Sequence, residues 1–296
     1  MALRRRRNEE LDAVHREALC SLVASAKFEL IPLSNAYERV AELPDGAVAT
    51  VTASPSHGIE ATVELARTLM AAGHDAIPHL SAHMIRDRAH LGDLLARMGD
   101  AGIRRAFVVG GDAKDPGMYR DGLSLLRAMD ELGHGLDEIG VPSYPDGHVD
   151  IADDELLSVL KQKQRYASYM TTQMCFDPAA IISWIAAMRA EGVTLPVHIG
   201  TPGVAELTKL MAISARIGVA DSARYLLKNR KLVGGLLSPG RYGPDALLRG
   251  LAPAVVDPAA RIEALHVFTF NQVVATVEWQ RQMLASLNEG STQPSS

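Results

Sequence analysis

Short apolar runs alternate with longer amphipathic segments along most of the 296-residue chain. Runs rich in β-branched residues predict strands, whereas apolar residues that recur every three or four positions predict helices. The runs that predict strands are Lys27–Leu33, Val48–Ala53, Asp75–Leu80, Arg105–Gly111, Glu138–Tyr144, Tyr169–Phe176, Leu195–Thr201 and Ala264–Phe270. The segments that predict helices between them include Gly58–Ala72, His83–Gly99, Gly117–Leu132, Asp153–Ala167 and Pro178–Glu191.

This order of elements predicts an α/β fold. Strands and helices in strict alternation build a parallel sheet, and eight strands close a (β/α)8 TIM barrel. An open, doubly wound sheet is the alternative, but the G-x-G-x-x-G fingerprint that marks its nucleotide site is absent. Residues 8–26 predict an extra N-terminal helix, and Asp221–Lys231 predicts a helix before the last strand. We therefore expect a basic segment with a helix at 1–26, one barrel domain at 27–289 and a disordered tail at 290–296.

Composition and charge narrow the functional classes. Apolar residues make up 47% of the chain and charged residues 22%, as in a soluble globular protein rather than a disordered one. The net charge of -5 argues against a nucleic-acid partner, and the basic run Arg4–Arg7 is expected to be solvated. Cys20 and Cys175 form no C-x-x-C pair, which favours a reducing cytoplasm. The best uncharged run, Pro178–Met188, is shorter than the roughly 20 residues of a membrane-spanning helix, so we expect no membrane partner.

Polar side chains stand at the predicted ends of the strands, where a barrel carries its chemistry. Glu29 lies between Phe28 and Leu30 in the first strand, so alternation directs it toward either the barrel interior or the surrounding helices. Burial raises the pKa of a carboxyl group, which makes Glu29 a candidate general acid. Pairing with an Arg or Lys inside the barrel is the alternative. The other polar residues in or just after the strands are Thr52, His79, His83, Asp112, Tyr144, Gln173, His198, Thr269 and Asn271.

Two further patterns bear on ligands. The glycine-rich segment Val109–Gly117 allows a flat or phosphorylated ligand to approach the backbone, and a plain turn is the alternative. His74, His79, His83 and His90 invite a metal-site interpretation, but neither H-x-H on the first strand nor H-E-x-x-H is present. We therefore predict no metal. The serine-hydrolase motif G-x-S-x-G is absent as well.

Taken in order, these strand ends resemble the motifs of the methylenetetrahydrofolate reductase family. Each motif is short, but all of them occur in the family's order, at predicted strand ends or in the loops that follow. The matching segments are Phe28–Pro32 (family F-E-F-F-P), Val51–Thr52 (S-V-T), Pro78–Ser81 (P-H-L-T), Val109–Asp112 (L-R-G-D), Tyr144–His148 (Y-P-E-x-H), Leu160–Lys163 (L-K-x-K), Thr172–Asp177 (T-Q-F-F-F-D) and His266–Asn271 (H-F-Y-T-L-N).

The resemblance implies reduction of 5,10-methylenetetrahydrofolate to 5-methyltetrahydrofolate by a hydride that originates from NAD(P)H. It implies that Glu29 is the catalytic acid and that Asp112 assists it, while Gln173, Asp112 and Thr52 bind the folate. The residues that the resemblance assigns to the cofactor are His79, Gly111, Tyr119, Tyr144, His148 and Lys163. The expected partners are a reduced folate and a nicotinamide dinucleotide. NADH is weakly favoured over NADPH, and the oligomeric state stays open.

Two departures from the family's pattern concern the flavin. The resemblance implies FAD, but Gly110 stands where the family has an Arg near the flavin pyrophosphate. In addition, the bulkier residues 164–168 replace a glycine-bearing stretch. We therefore expect a protein without tightly bound FAD, in which NAD(P)H and folate meet in one cleft. Oxidation of 5-methyltetrahydrofolate and a folate-binding barrel without redox activity are the alternatives.

Overall fold

The computed structural model describes residues 11–111, 113, 116–216 and 241–289. Its strands are β1 (Lys27–Leu30), β2 (Val48–Val51), β3 (Asp75–Ser81), β4 (Arg105–Val109), β5 (Glu138–Ser143), β6 (Tyr169–Thr172), β7 (Val197–Pro202), β8 (Ala205–Glu206), β9 (Arg241–Tyr242) and β10 (Ile262–Phe268). Eight of them close into a barrel in the order β1-β10-β7-β6-β5-β4-β3-β2, and every barrel pair is parallel. The predicted (β/α)8 barrel is thereby confirmed.

Helices surround the barrel. They are α1 (Ala13–Ala24), α2 (Ala36–Val40), α3 (Gly58–Ala71), α4 (Arg88–Asp100), α5 (Gly122–Leu132), α6 (Asp153–Lys163), α7 (Pro178–Ala190), α8 (Leu207–Arg216), α9 (Asp245–Val255) and α10 (Val273–Glu289). The predicted N-terminal helix is present as α1 and packs against α9, α10 and β10. The predicted helix at Asp221–Lys231 and the tail at 290–296 lie outside the described residues, and the domain division stays a prediction. Among the described residues, no helix combines the length and the apolar character that a membrane crossing requires.

Capping side chains set where two helices begin. Apolar periodicity predicts starts at His83 and Gly117, but α4 and α5 begin later. The Asp87 carboxylate accepts the His90 N–H at 2.8 Å, and the Asp121 carboxylate accepts the Ser124 N–H at 2.7 Å. Each carboxylate satisfies a backbone donor that would otherwise lack an intrahelical partner. The helices therefore start one residue after these aspartates.

Two strands end three or more residues before their apolar runs end. The first run continues to Leu33, but Pro32 has no N–H to donate to a neighbouring strand, and β1 ends at Leu30. The sixth run continues to Phe176, but the Gln173 side chain accepts the Met174 N–H at 2.8 Å, and β6 ends at Thr172. Loops thus begin at the carboxyl ends of these strands. We call the carboxyl ends of the eight barrel strands, with the loops that follow them, the barrel mouth.

The barrel interior carries many polar groups, although TIM barrels mostly place branched apolar side chains there. Ile77, Phe107 and Tyr169 form an apolar cluster that is separate from the main core. A β-carbon on Gly140 would lie 2.3 Å from Tyr169 Cζ and 2.5 Å from Phe107 Cδ2, so the glycine makes room for both rings. The buried polar residues on the barrel strands are Lys27, Thr50, His79, Ser81, Ser143, Thr171, Thr172, His198, Thr201 and His266.

Candidate functional site

Glu29 lies inside the barrel near its mouth. Its side chain is 12% exposed, and its carboxyl Oε2 is 2.8 Å from His266 Nε2 on β10. The same oxygen is 3.9 Å from His79 Nε2 on β3. Among the described residues, these two imidazoles approach the Glu29 carboxyl, and no Arg or Lys forms an ion pair with it. The interior orientation is therefore observed, and the partners differ from the pairing that we considered from the sequence.

The loop after β10 holds the backbone on both sides of Glu29. The Thr269 hydroxyl donates to the Glu29 carbonyl at 2.5 Å. The Asn271 side chain accepts the Ile31 N–H at 2.8 Å and donates to the Ile31 carbonyl at 2.9 Å. Phe270 and Asn271 adopt φ values of 50° and 58°, in the left-handed region. This turn fixes the first strand to the last one at the mouth.

His79 is buried beside Glu29. Its ring centroid lies 4.7 Å from that of Phe107, and its Nε2 has no hydrogen-bond partner among the described residues. Burial lowers the pKa of His79 to about 4, although the Glu29 carboxylate acts in the opposite direction. His79 is therefore neutral near pH 7. The resemblance implied a cofactor contact for His79, and the structure places it against the proposed acid.

A second polar layer lies deeper in the barrel. The Lys27 ammonium is 3.4 Å from His198 Nδ1 and stands 4.5 Å from the centre of the Tyr169 ring. Tyr169 stacks on His198 with ring centroids 3.9 Å apart. Burial lowers the pKa of Lys27 to about 8 and lowers the pKa of His198 well below its usual value. Sequence reasoning missed Lys27 because a lysine at the start of a strand is ordinarily solvated.

Glu29, His79 and His266 also have the composition of a metal site. Their donor atoms lie within 4.8 Å of one another, and all three residues are buried enough to exclude most water. Two imidazoles and a carboxylate are ligands that suit zinc or iron. The three residues come from three strands, so no short motif could reveal the cluster. The absence of a metal stays a prediction from the sequence.

The described residues assigned to the folate half follow β2 and β6, which are not neighbours in the barrel. The Thr52 N–H donates to the Leu30 carbonyl at 2.9 Å, which places Thr52 at the mouth beside the end of β1. Gln173 is half-buried just after β6, and its N–H donates to the Ser143 carbonyl at 2.7 Å. Its side-chain oxygen already accepts the Met174 N–H. Asp112 lies outside the described residues, so its role stays a prediction.

The residues assigned to the cofactor half include a half-buried lysine. Lys163 Nζ and the Gly110 nitrogen each lie 3.6 Å from the point where a β-carbon on Gly122 would stand. Burial lowers the pKa of Lys163, and Asp121 counteracts that shift. The amine therefore lies at the N-terminus of α5, where backbone N–H groups favour anions. Gly111 has φ 102°, and a β-carbon there would lie 2.0 Å from Ser81 Oγ, so only glycine fits this loop.

The three remaining cofactor candidates are spread over two places. Tyr144 and His148 meet edge to face with ring centroids 5.1 Å apart, and His148 Nδ1 accepts the Asp150 N–H at 3.1 Å. Tyr119 packs in the main core and is only 6% exposed. Its charged neighbours, including Arg88, are on or beside α4 and α5. The structure thus brings Tyr144 and His148 into contact, whereas Tyr119 is packed in the hydrophobic core.

Comparison with known proteins identifies the lineage of this barrel. A family profile described as methylenetetrahydrofolate reductase matches residues 30–219, which is more than half of the chain. The chain belongs to the methylenetetrahydrofolate reductase family. Methylenetetrahydrofolate reductase 1 of Schizosaccharomyces pombe is 32% identical over 115 residues, which cover 36% of this chain. The match spans only 19% of that longer relative.

A solved structure supports the fold assignment. An uncharacterized protein from Clostridium thermocellum superposes with a TM-score of 0.59 at 12% identity. The match covers 89% of this chain and 95% of that one. That protein binds two copies of 5-methyl-5,6,7,8-tetrahydrofolic acid. At this identity, the likeness shows a shared fold.

Proposed function

We propose that this member of the family reduces 5,10-methylenetetrahydrofolate to 5-methyltetrahydrofolate with NAD(P)H, and that Glu29 is the acid. The observation that carries the proposal is the largely buried Glu29 carboxyl at the mouth, at the position of the family's F-E-F-F-P glutamate. Family membership supports an oxidoreductase of folate metabolism. The reduced folate bound by the clostridial protein of the same fold agrees with this substrate class.

The reaction needs a proton at one nitrogen before it needs a hydride. The five-membered ring that bridges N5 and N10 opens when N10 is protonated and leaves, which produces an iminium ion at N5. Hydride addition to the iminium carbon then gives the methyl group. Glu29 supplies the proton to N10 and is left as a carboxylate, which regains a proton from solvent in each cycle. Its site excludes most water, which strengthens charge interactions with the iminium ion.

Other mouth residues orient the pterin. Gln173 retains its side-chain NH2 group as a donor toward a ligand, because only its oxygen is engaged by Met174 among the described residues. Thr52 lies at the mouth beside the end of β1. Asp112 is assigned to the pterin amino group on the family motif alone. These residues would hold the reacting carbon near the hydride donor.

The dinucleotide is assigned to the end of β4 and the start of α5. Lys163 offers a half-buried ammonium beside the first turn of α5, and Gly111 lets the neighbouring loop lie against the Ser81 side chain at the end of β3. A cation and a helix N-terminus suit a phosphate group. When bound, NAD(P)H supplies the hydride. We propose that FAD is not required, because Gly110 provides no cation and residues 164–168 are bulkier than in the family.

Substitution of Glu29 tests the acid. Glu29→Gln should lower kcat by roughly 100-fold or more, the usual contribution of a general acid, with a smaller effect on folate affinity. Glu60→Gln is the matched control, because Glu60 also lies beside a buried imidazole, 3.1 Å from His90 Nε2, but on the outside of the barrel. Near-normal turnover of the Glu29 variant would refute the role. Folate binding by a wild-type protein that shows no turnover in either direction would support a binding barrel.

The absorption spectrum tests the cofactor. Protein purified without added flavin should lack the flavin band at about 450 nm and still oxidise NAD(P)H when 5,10-methylenetetrahydrofolate is added. Assays with NADH and with NADPH determine which dinucleotide the protein prefers. Assays with 5-methyltetrahydrofolate and the oxidised dinucleotides determine the direction of the reaction. A stoichiometric yellow chromophore that bleaches on addition of NAD(P)H would contradict the flavin-independent reaction.

A further inference from the structure

The two oxygens of the Glu29 carboxyl are in different surroundings. The hydrogen bond from His266 and the approach of His79 both involve Oε2. Among the described residues, no hydrogen bond or ion pair involves Oε1. The hydrogen-bonded oxygen is thus held in the barrel, and the other one is available to a ligand at the mouth.

The tautomer of His266 decides whether this arrangement survives proton transfer. If Nε2 carries the proton, His266 donates to Oε2 both while the acid is protonated on Oε1 and after that proton has left. If Nε2 is unprotonated, Oε2 itself must carry the proton, and two acceptors face each other at 2.8 Å once it departs. An unpaired acceptor contact in a buried site is costly. The Nε2–H tautomer therefore fits a recurring proton donor.

We propose that His266 is the positioning residue of the acid: its Nε2–H holds Oε2 so that Oε1 carries the proton that is transferred. This inference rests on the proposed function. His79 Nε2 comes no closer than 3.9 Å to the same oxygen and has no hydrogen-bond partner among the described residues, so His266 is the side chain that holds Oε2 there. Among the described residues, the titratable groups Lys27, His198 and Tyr169 contact one another one layer deeper. His266 entered the sequence analysis only as the first residue of a motif, without a role of its own.

Kinetics of His266 variants test this role. His266→Phe keeps an aromatic ring but removes the donor, and it should lower kcat by up to roughly 100-fold, as expected for a misplaced reacting group, with little change in folate KM. His266→Gln should restore most of the loss, since its amide N–H can donate to Oε2. In the Glu29→Gln background, His266→Phe should cause no further loss. His90→Phe, which removes the partner of Glu60 on the outside of the barrel, is the control for general effects of a buried histidine.

A second measurement does not depend on turnover. In wild-type protein labelled with 15N-histidine, NMR should show His266 as the Nε2–H tautomer, and Glu29→Ala should shift the Nε2 resonance. If wild-type protein does not catalyse the reaction, the proposed function fails. The tautomer observed by NMR would still show whether His266 donates a hydrogen bond to the Glu29 carboxyl. An Nδ1–H tautomer, or equal losses from His266→Phe with and without Glu29, would overturn the inference even if Glu29 is the acid.

Discussion

Lys27 allows a quantitative test of the polar barrel interior. Its side chain is buried, and burial lowers its pKa from 10.5 to about 8. That difference corresponds to roughly 3 kcal/mol of cost for the charged form in the folded state. The cation also stands over the Tyr169 ring, an interaction worth up to about 2 kcal/mol when desolvated. Lys27→Met should therefore stabilise the protein at pH 7 by about 1 to 2 kcal/mol.

The sign of the pH dependence follows from the lowered pKa. Below pH 8, Lys27 is charged in both states and the folded state bears the full desolvation cost. Between about pH 8 and 10.5, the unfolded chain retains the proton that the folded protein loses, so the wild type gains stability as the pH rises. From pH 8 to 9.5, this gain amounts to about 2 kcal/mol. The advantage of Lys27→Met should accordingly shrink or reverse at pH 9.5.

Urea denaturation at pH 7 and pH 9.5 measures both effects. Lys161→Met is the matched control, since Lys161 forms a surface ion pair with Glu191 at 2.7 Å and has no desolvation cost to relieve. Other titrating groups are common to all variants and cancel in the differences. An unchanged stability difference between wild type and Lys27→Met at the two pH values would show that Lys27 is not desolvated. Strong destabilisation at both values would show that its contacts outweigh the burial cost.

Two further substitutions test the packing and the dinucleotide site. Gly140→Ala should destabilise the barrel by about 1 to 3 kcal/mol in thermal denaturation, because its new β-carbon would overlap the Tyr169 and Phe107 rings. Gly99→Ala in α4 is the control: its new β-carbon meets open space, so it should be neutral or stabilising. Equal changes in stability for the two variants would contradict the packing argument. Lys163→Met should raise KM for NAD(P)H by roughly 10-fold or more through loss of a charge-assisted hydrogen bond. Lys161→Met is the control, and an equally large rise in its KM would show that the effect comes from the loss of any nearby positive charge and not from a specific contact of Lys163.

The strand pattern predicted the fold because each barrel strand largely coincides with one of the short runs rich in apolar and β-branched residues. The small sheet of β8 and β9 and the short helix α2 escaped prediction, since two to five residues carry no clear period. Alternation left two possible faces for Glu29, and only closure of the barrel determined that it points inward. The Glu29–His266 contact joins residues 237 positions apart, so local spacing could not reveal it. For Tyr119, the resemblance implied a cofactor contact, while the side chain lies in the core.

The turn at Phe270 and Asn271 joins the last barrel strand to the first, and this has a consequence for biosynthesis. Glu29 is translated early, but its partners His266 and Thr269 leave the ribosome more than two hundred residues later. A nascent or truncated chain that ends before β10 would expose the edges of β1 and β7 and would present an unpaired carboxyl at the acid position. Such edges are prone to aggregation, so folding intermediates of this protein should depend on chaperones until the barrel closes.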